Sequence, residues 1–241
     1  MKLENLERGI TPYEQLEGNG RTENPLMRKF HLAERDRDRM TVEFDLSPTN
    51  RFGISLSFYT TEDDYDASQI GLTGSKEQSY SADFNFALNE KTNFYAFVNK
   101  DEIESTMSAA DGAGATPWNA STEDTIKTWG VGISGRANDK VSFGLDYVSS
   151  DSDGEIMTDI SSGHSPFPVL TTELTNTRIY VDYQLNERWT LGLNAYQEEY
   201  VTADWFIDSI GPGSISSVLT MGETSPDYDV NVVSLLATLR F

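Results

Sequence analysis

From about residue 37 onward, apolar and polar residues alternate with a period of two, the signature of strands with one apolar face. "RMTVEFDLS" sets Met40, Val42, Phe44 and Leu46 against Thr41, Glu43 and Asp45. "RFGISLSFY" sets Phe52, Ile54, Leu56 and Phe58 against Gly53, Ser55 and Ser57, and "SYSADFNFAL" sets Tyr80, Ala82, Phe84, Phe86 and Leu88 against Ser81, Asp83, Asn85 and Ala87. The pattern continues through "TWGVGISG", "KVSFGLDYVS", "TRIYVDYQL" and "RWTLGLNAY". "NFYAFVN" disturbs it by carrying aromatics at both parities. The chain closes on "VSLLATLRF", with Val233, Leu235, Ala237, Leu239 and Phe241 apolar and Ser234, Thr238 and Arg240 between them, which makes nine such stretches.

These strands run about ten to thirteen residues, longer than the five or six of a globular strand. A tilted strand crossing a bilayer needs roughly nine to eleven. The connections alternate in length as well. Short turns fall at "SPTN" (47–50), "NEKT" (89–92), "ANDK" (137–140) and "NER" (186–188), and long polar connections at about 61–76, 104–124, 151–172 and 201–228. Short turns on one rim and long loops on the other are the pattern of an outer-membrane barrel. The expected fold is therefore all-β, an antiparallel transmembrane β-barrel in the outer membrane of a Gram-negative cell. Residues 37–241 supply the strands, with short periplasmic turns and long acidic extracellular loops, and residues 1–36 an extracellular loop or lead-in segment. Counting back from Phe241 on the short-turn rim, the ninth strand from the end descends from the long-loop side. That odd number, with no apolar signal segment in "MKLENLERGITPYEQL", points to the C-terminal part of a larger barrel, because bacterial barrels have even strand counts.

Composition narrows the function. The balance of 18 basic against 39 acidic residues, a net charge of −21, argues against nucleic acid as a partner, since phosphate contacts need a basic surface. Hydrophobic content is 37% and mean hydropathy −0.47, which a barrel tolerates because only alternate residues meet lipid. The chain has no cysteine, so it offers no thiolate ligand, disulfide or cysteine nucleophile. Acidic residues gather in the long connections ("EDDYD", "STED", "DSDGE", "SPDYD"), while every short turn or its edge carries a base: Arg51, Lys91, Lys140 and Arg188. Aromatics cluster at strand ends, with Phe52, Phe94, Phe143 and Trp189 by the short turns and Tyr59, Tyr80, Tyr147, Tyr200 and Tyr228 by the long ones. Two interfacial girdles would give that distribution.

Alternation assigns sides. Val233, Leu235, Leu239 and Phe241 of the last strand are expected to face lipid, with the terminal aromatic read by the barrel-assembly machinery. Glu43, Asp45, Asp83, Asn85, Asp146, Arg178, Asp182, Asn194 and Arg240 are expected to face the lumen and line it.

Catalytic candidates are sparse. Of the two histidines, His31 and His164, the second stands beside Ser165 in a proline-flanked loop, without the rigid platform and orienting acid that a hydrolase needs. The clusters Asp63, Asp64, Asp66 and Asp151, Asp153, Glu155 could offer oxygen ligands to Ca²⁺. However, "DSDGE" is too short for an EF-hand loop, and solvated acidic loops are the plainer reading. "AERDRDR" (33–39) could clamp a partner or neighbouring loops through arginine–carboxylate pairs. "SPDYDV" (225–230) reads as a proline-set entry into the last strand.

Several longer strings carry a family resemblance. "ENPLMRKFHLAERDRDR" (23–39), "DDYDASQIGLTGSKEQSYSADFNFALNEKTNFYAF", "NERWTLGLNAYQEEYVTADW" (186–205) and "MGETSPDYDVNVVSLLATLRF" (221–241) resemble the MtrB/PioB family of decahaem-associated outer-membrane proteins. The resemblance implies a non-enzymatic barrel that sheathes a periplasmic multihaem c-type cytochrome, often with a second multihaem cytochrome outside, so that electrons cross the outer membrane. It also implies that haem is carried by the partner and none is bound covalently by this chain. The competing readings are a passive porin or general barrel without a redox role, and an outer-membrane lipid-modifying enzyme.

Overall fold

A computed structural model describes residues 33–65, 69–110, 118–159, 167–205, 208 and 226–240, together with the backbone of 27–28. The strands are β1 (Met27–Arg28), β2 (Asp36–Thr49), β3 (Phe52–Asp64), β4 (Ile70–Asn89), β5 (Thr92–Ala109), β6 (Trp118–Asn138), β7 (Val141–Thr158), β8 (Leu170–Gln184), β9 (Trp189–Ala203) and β10 (Tyr228–Leu239). From β2 to β10 they follow one another across a single antiparallel meander, and β1 makes a short parallel contact with β4, Met27 beside Ile70. β2 and β10 are the two margins and do not pair with each other, so the described residues form an open sheet.

Within the described residues each of the nine alternating stretches falls on a strand, but the strands are longer than expected, up to 21 residues in β6. Much of what reads as long acidic connection is in fact ladder: the described breaks shrink to the gaps between β3 and β4, β5 and β6, β7 and β8, and β9 and β10. The physical reason is that both faces are polar there, so no two-residue alternation marks the strand. Backbone pairing holds these extensions, helped by cross-strand hydroxyl contacts such as Ser105–Thr122 at 2.7 Å, Thr128–Ser150 at 2.8 Å and Thr172–Thr202 at 3.2 Å. Such pairs stabilise sheets modestly.

Register keeps most apolar residues on one face from strand to strand, although Val230, Val232 and Leu236 of β10 fall on the polar face. Phe44 lies opposite Leu56, Leu56 opposite Ala82, Ala82 opposite Val98 and Val98 opposite Trp129. Further along, Phe143 pairs with Val181, Val181 with Leu193 and Leu193 with Leu235. This apolar face is exposed, with Phe44 at 55%, Leu193 at 46% and, on the margin strand, Leu235 at 85%, while on the polar face Thr61 and Asp63 near the long-loop end are buried. A water-soluble fold shows the reverse. Among the described residues only Tyr65, Ile70 and Ala120 are buried apolar side chains, so no hydrophobic core exists to drive folding. A continuous apolar patch of this size needs a covering medium, and lipid hydrocarbon is the one suited to a barrel exterior.

Aromatic pairs reinforce that face: Phe58–Tyr80 at 5.0 Å, Trp129–Tyr147 at 5.2 Å and Phe52–Phe86 at 6.5 Å between ring centroids. The expected girdle is only partly realised. Tyr59, Tyr200 and Tyr228 alternate onto the polar face: Tyr59 with Thr41 and Ser79, Tyr228 with Tyr200. Nearness to a strand end does not decide which side a ring takes; parity does.

The short turns share one construction. Thr49 Oγ1 accepts from the Arg51 N–H at 3.2 Å, Asn89 Oδ1 from Lys91 at 2.8 Å, Asn138 Oδ1 from Lys140 at 2.8 Å and Asn186 Oδ1 from Arg188 at 2.9 Å. Side chains of this type close turns by mimicking a backbone acceptor. As a result, four bases are fixed at equivalent places on one rim.

The polar face as candidate functional site

The predicted lumen residues come together on the polar face. Glu43 lies opposite Ser57, and Asp45 accepts the Ser55 hydroxyl at 2.5 Å. Asp83 sits between Ser55 and Phe97, and Asn85 between Gly53 and Tyr95. Asp146 accepts the Tyr95 hydroxyl at 2.7 Å and lies opposite Arg178, whose guanidinium is 5.9 Å from the centre of the Tyr180 ring. Asp182 lies opposite Gly192, and Asn194 opposite Tyr180. Asn194 Oδ1 is buried and accepts no hydrogen bond. Arg240 lines a recess at the short-turn rim together with Asp182. On the other side of the last strand, Val233, Leu235 and Leu239 pair with Ala195, Leu193 and Trp189 on the apolar face. Phe241, His31, His164, Ser165 and Asp66 lie outside the described residues.

The aromatics that disturb the pattern of "NFYAFVN" find their explanation here. Tyr95 and Phe97 stand on the polar face of β5, and each ring lies flat over a glycine of β6. A Cβ on Gly130 would come 2.8 Å from Phe97 Cζ, and one on Gly132 would come 2.7 Å from Asp146 Oδ1 while entering the Tyr95 ring. Tyr180 covers Gly144 in the same way, with its hydroxyl 2.9 Å from where a Cβ would be. Glycine in a strand often marks such a close approach. The rings thus run along the wall rather than out from it. The clue in the sequence is the pair Gly130 and Gly132 in "TWGVGISG", matched across the ladder to the rings of Phe97 and Tyr95 on the neighbouring strand.

At the long-loop end, "AERDRDR" acts as a clamp between strands. Arg37 grips Asp63 with two hydrogen bonds, Nε at 2.5 Å and Nη2 at 2.6 Å, while Arg35 stands 3.8 Å away. Arg39 lies 5.4 Å from the centre of the Tyr59 ring. The apolar residues of β2 and β3 stop at Met40 and Phe58, so this clamp stands beyond the belt. There the Arg37 guanidinium holds the Asp63 carboxyl below the usual aspartate range, against the opposing effect of burial. Asp63 and Asp64 consequently point to opposite faces. Asp151, Asp153 and Glu155 share one face of β7, opposite Lys127, Thr125 and Glu123. Among the described residues no group of three or more acidic, histidine or cysteine side chains is arranged to hold a metal ion.

"SPDYDV" also gains a local role. Asp227 Oδ1 accepts the Thr202 N–H at 2.8 Å, and Tyr228 stacks on Tyr200 at 5.1 Å. The Tyr228 hydroxyl donates to Glu198 Oε1 at 2.8 Å, and Tyr196 donates to the other carboxylate oxygen. The motif therefore fastens the start of β10 to the upper end of β9.

The family model described as "outer membrane beta-barrel porin, MtrB/PioB" matches residues 1–241. The chain is similar to Outer membrane protein MtrB of Shewanella baltica (strain OS185), with 29% identity over 233 residues. That match covers 95% of this chain and 33% of the relative, so the chain spans about a third of the relative's length. Among solved structures, the copper transporter OprC shares the fold with a TM-score of 0.59 at 10% identity, over 85% of this chain and 34% of that one. The ferric-catecholate import receptor Fiu of E. coli K12 gives a TM-score of 0.46 at 11% identity, over 90% and 44%.

Proposed function

The chain belongs to the MtrB/PioB family of outer-membrane β-barrel porins, and from that premise we propose that it forms wall for a barrel that sheathes a multihaem c-type cytochrome. The barrel would be the scaffold of a porin–cytochrome conduit that carries electrons across the outer membrane. The observation that carries this reading is the division of faces, with large apolar side chains exposed on one and, on the other, polar groups set among glycines covered by Tyr95, Phe97 and Tyr180.

The physical problem is one of solvation. The hydrocarbon layer is about 30 Å thick, and a bare cytochrome would lose hydrogen bonding for its polar surface throughout that depth. Phe44, Leu56, Phe84, Val131, Val181 and Leu193 meet the hydrocarbon instead. On the other face, Glu43, Asp45, Asp83, Asn85, Asp146, Arg178 and Asn194 are available to hydrogen-bond a protein surface. Tyr95, Phe97 and Tyr180 lie flat, which leaves the lumen room for a folded occupant. Haem belongs to that occupant, since a chain without cysteine offers no covalent attachment. The role of this chain is to hold and insulate, not to catalyse. A second multihaem cytochrome would dock outside, on the rim formed by the long-loop ends.

The test is extraction of the barrel from outer membranes in mild detergent, followed by haem staining of what accompanies it. A stoichiometric multihaem cytochrome is expected, as is loss of reduction of an extracellular acceptor when the gene is deleted. A haem-free barrel with large ionic conductance in planar bilayers would instead make it a passive porin.

A further inference from the structure

We propose that the recess at the short-turn mouth of the polar face binds acidic side chains on the surface of the seated protein; this rests on the sheath reading above. The recess, about 240 Å³, is lined by Arg136, Lys140 and Arg240 together with Asp182, Ser142 and Thr190. Its three cations come from three separate places: the end of β6, the β6–β7 turn, and the residue after β10. Backbone hydrogen bonds set two of them, the Arg136 N–H to the Lys91 carbonyl at 2.9 Å and the Arg240 N–H to the Arg188 carbonyl at 2.8 Å. The Asn138 side chain sets the third by accepting the Lys140 N–H.

What singles out this recess is its sign. The chain carries a net charge of −21, and carboxylates take up some of its cations, Arg37 with Asp63 and Lys91 with Asp139 at 3.1 Å. Arg136, Lys140 and Arg240 form no ion pair with a described residue. Asp139, which also borders the recess, is occupied by Lys91, so Asp182 is the one carboxylate left to answer three positive charges. Guanidinium groups suit carboxylates because two N–H groups can meet two oxygens, and the Ser142 and Thr190 hydroxyls add neutral donors. Further along the polar face the sign reverses, with Glu43, Asp45, Asp83 and Asp146 against Arg178. A seated protein whose acidic end lies at the short-turn mouth is therefore matched along its length, and one inserted the other way is not. The cations line the polar face rather than the apolar one, which favours the lumen occupant over the headgroups of surrounding lipid.

The experiment compares the cytochrome–barrel complex of the wild type with that of an Arg136→Glu/Lys140→Glu double variant, leaving Arg240 and the last strand untouched. Heat-modifiable migration verifies that both barrels are assembled, and retained haem is measured across a salt gradient. The variant is expected to release its cytochrome at a several-fold lower salt concentration, and Arg136→Lys/Lys140→Arg to restore wild-type retention, because rim charges govern the salt dependence of association. If the charge reversal prevents assembly, Arg136→Gln, which only removes a charge, should shift release in the same direction. An assembled variant with an unchanged salt profile overturns the proposal. So does one that keeps its cytochrome but loses co-purifying phosphatidylglycerol, which would assign the recess to lipid. A wild-type barrel that holds no cytochrome at any salt concentration overturns the sheath reading itself, and the two failures are thereby told apart.

Discussion

Replacing Gly132 by alanine tests the flat-ring construction of the wall most directly. The new Cβ would enter the Tyr95 ring and stand 2.7 Å from Asp146 Oδ1, so the ring must lift. Lifting it breaks the 2.7 Å bond from the Tyr95 hydroxyl to Asp146. Overpacking costs about 1–3 kcal/mol, and a hydrogen bond to a charged group contributes about 1.5–3 kcal/mol. Removing a glycine from a strand returns roughly 0.5–1 kcal/mol. The balance is a loss of about 1.5–5.5 kcal/mol. The assay is the urea dependence of the heat-modifiable barrel in outer-membrane fractions, for Gly132→Ala, Tyr95→Ala and the double variant. With the ring gone the alanine should be neutral or slightly stabilising, giving a large coupling between the two sites. Equal cost for Gly132→Ala with and without the Tyr95 ring would refute the idea that the glycine is there to seat it.

Three further outcomes are expected. Arg37→Ala should loosen the long-loop ends of β2 and β3 by about 1–3 kcal/mol, read as faster amide exchange at Asp38 and Glu62 with the apolar belt unaffected. Because the Asp63 pKa is depressed in the folded state, the contribution of the clamp is fully present above the ordinary aspartate value of about 3.9 and is lost as pH falls through the lower folded value. Protection at these amides, after correction for intrinsic exchange, should therefore hold from neutral pH to about 4 and decline only below it. Phe84→Arg, on the apolar face, should cost about 2–4 kcal/mol and deplete the assembled barrel. Asp83→Arg, one residue away on the polar face, should change urea resistance by about 0.5 kcal/mol or less, and equal effects at the two positions would rule out the assignment of faces. Deleting Phe241, or replacing it with aspartate, should sharply reduce heat-modifiable barrel in the outer-membrane fraction; normal amounts would remove its role in assembly.

What the sequence discloses follows from where the solvent changes. Between Phe52 and Phe58, or Trp189 and Ala195, lipid lies on one side and polar surroundings on the other, so alternation marks strand, register and face together. Beyond Thr60 or Tyr196 both sides are polar, and the same ladder continues without a signal, which is why the strands extend into stretches that read as loop. The turns are legible because Asn89, Asn138 and Asn186 each stand two residues before a base. Tyr95 and Phe97 are legible as an irregularity only, since the glycines that receive them lie on another strand. The recess is the least visible feature: Arg136, Lys140 and Arg240 are spread over more than a hundred residues, and only the ladder from β6 to β10 gathers them.

The length of the strands is also a ruler. Strands of 18 residues in β5 and β7, at about 3.3 Å per residue and tilted by roughly 35–45°, make a wall about 45 Å tall. The hydrocarbon it crosses is only about 30 Å deep. A relay of redox centres cut to the thickness of the bilayer would be shorter than this wall. Any occupant that hands electrons to the outside must be built to the measure of the ladder, and the distance between donor and acceptor is then fixed by a protein and not by the membrane.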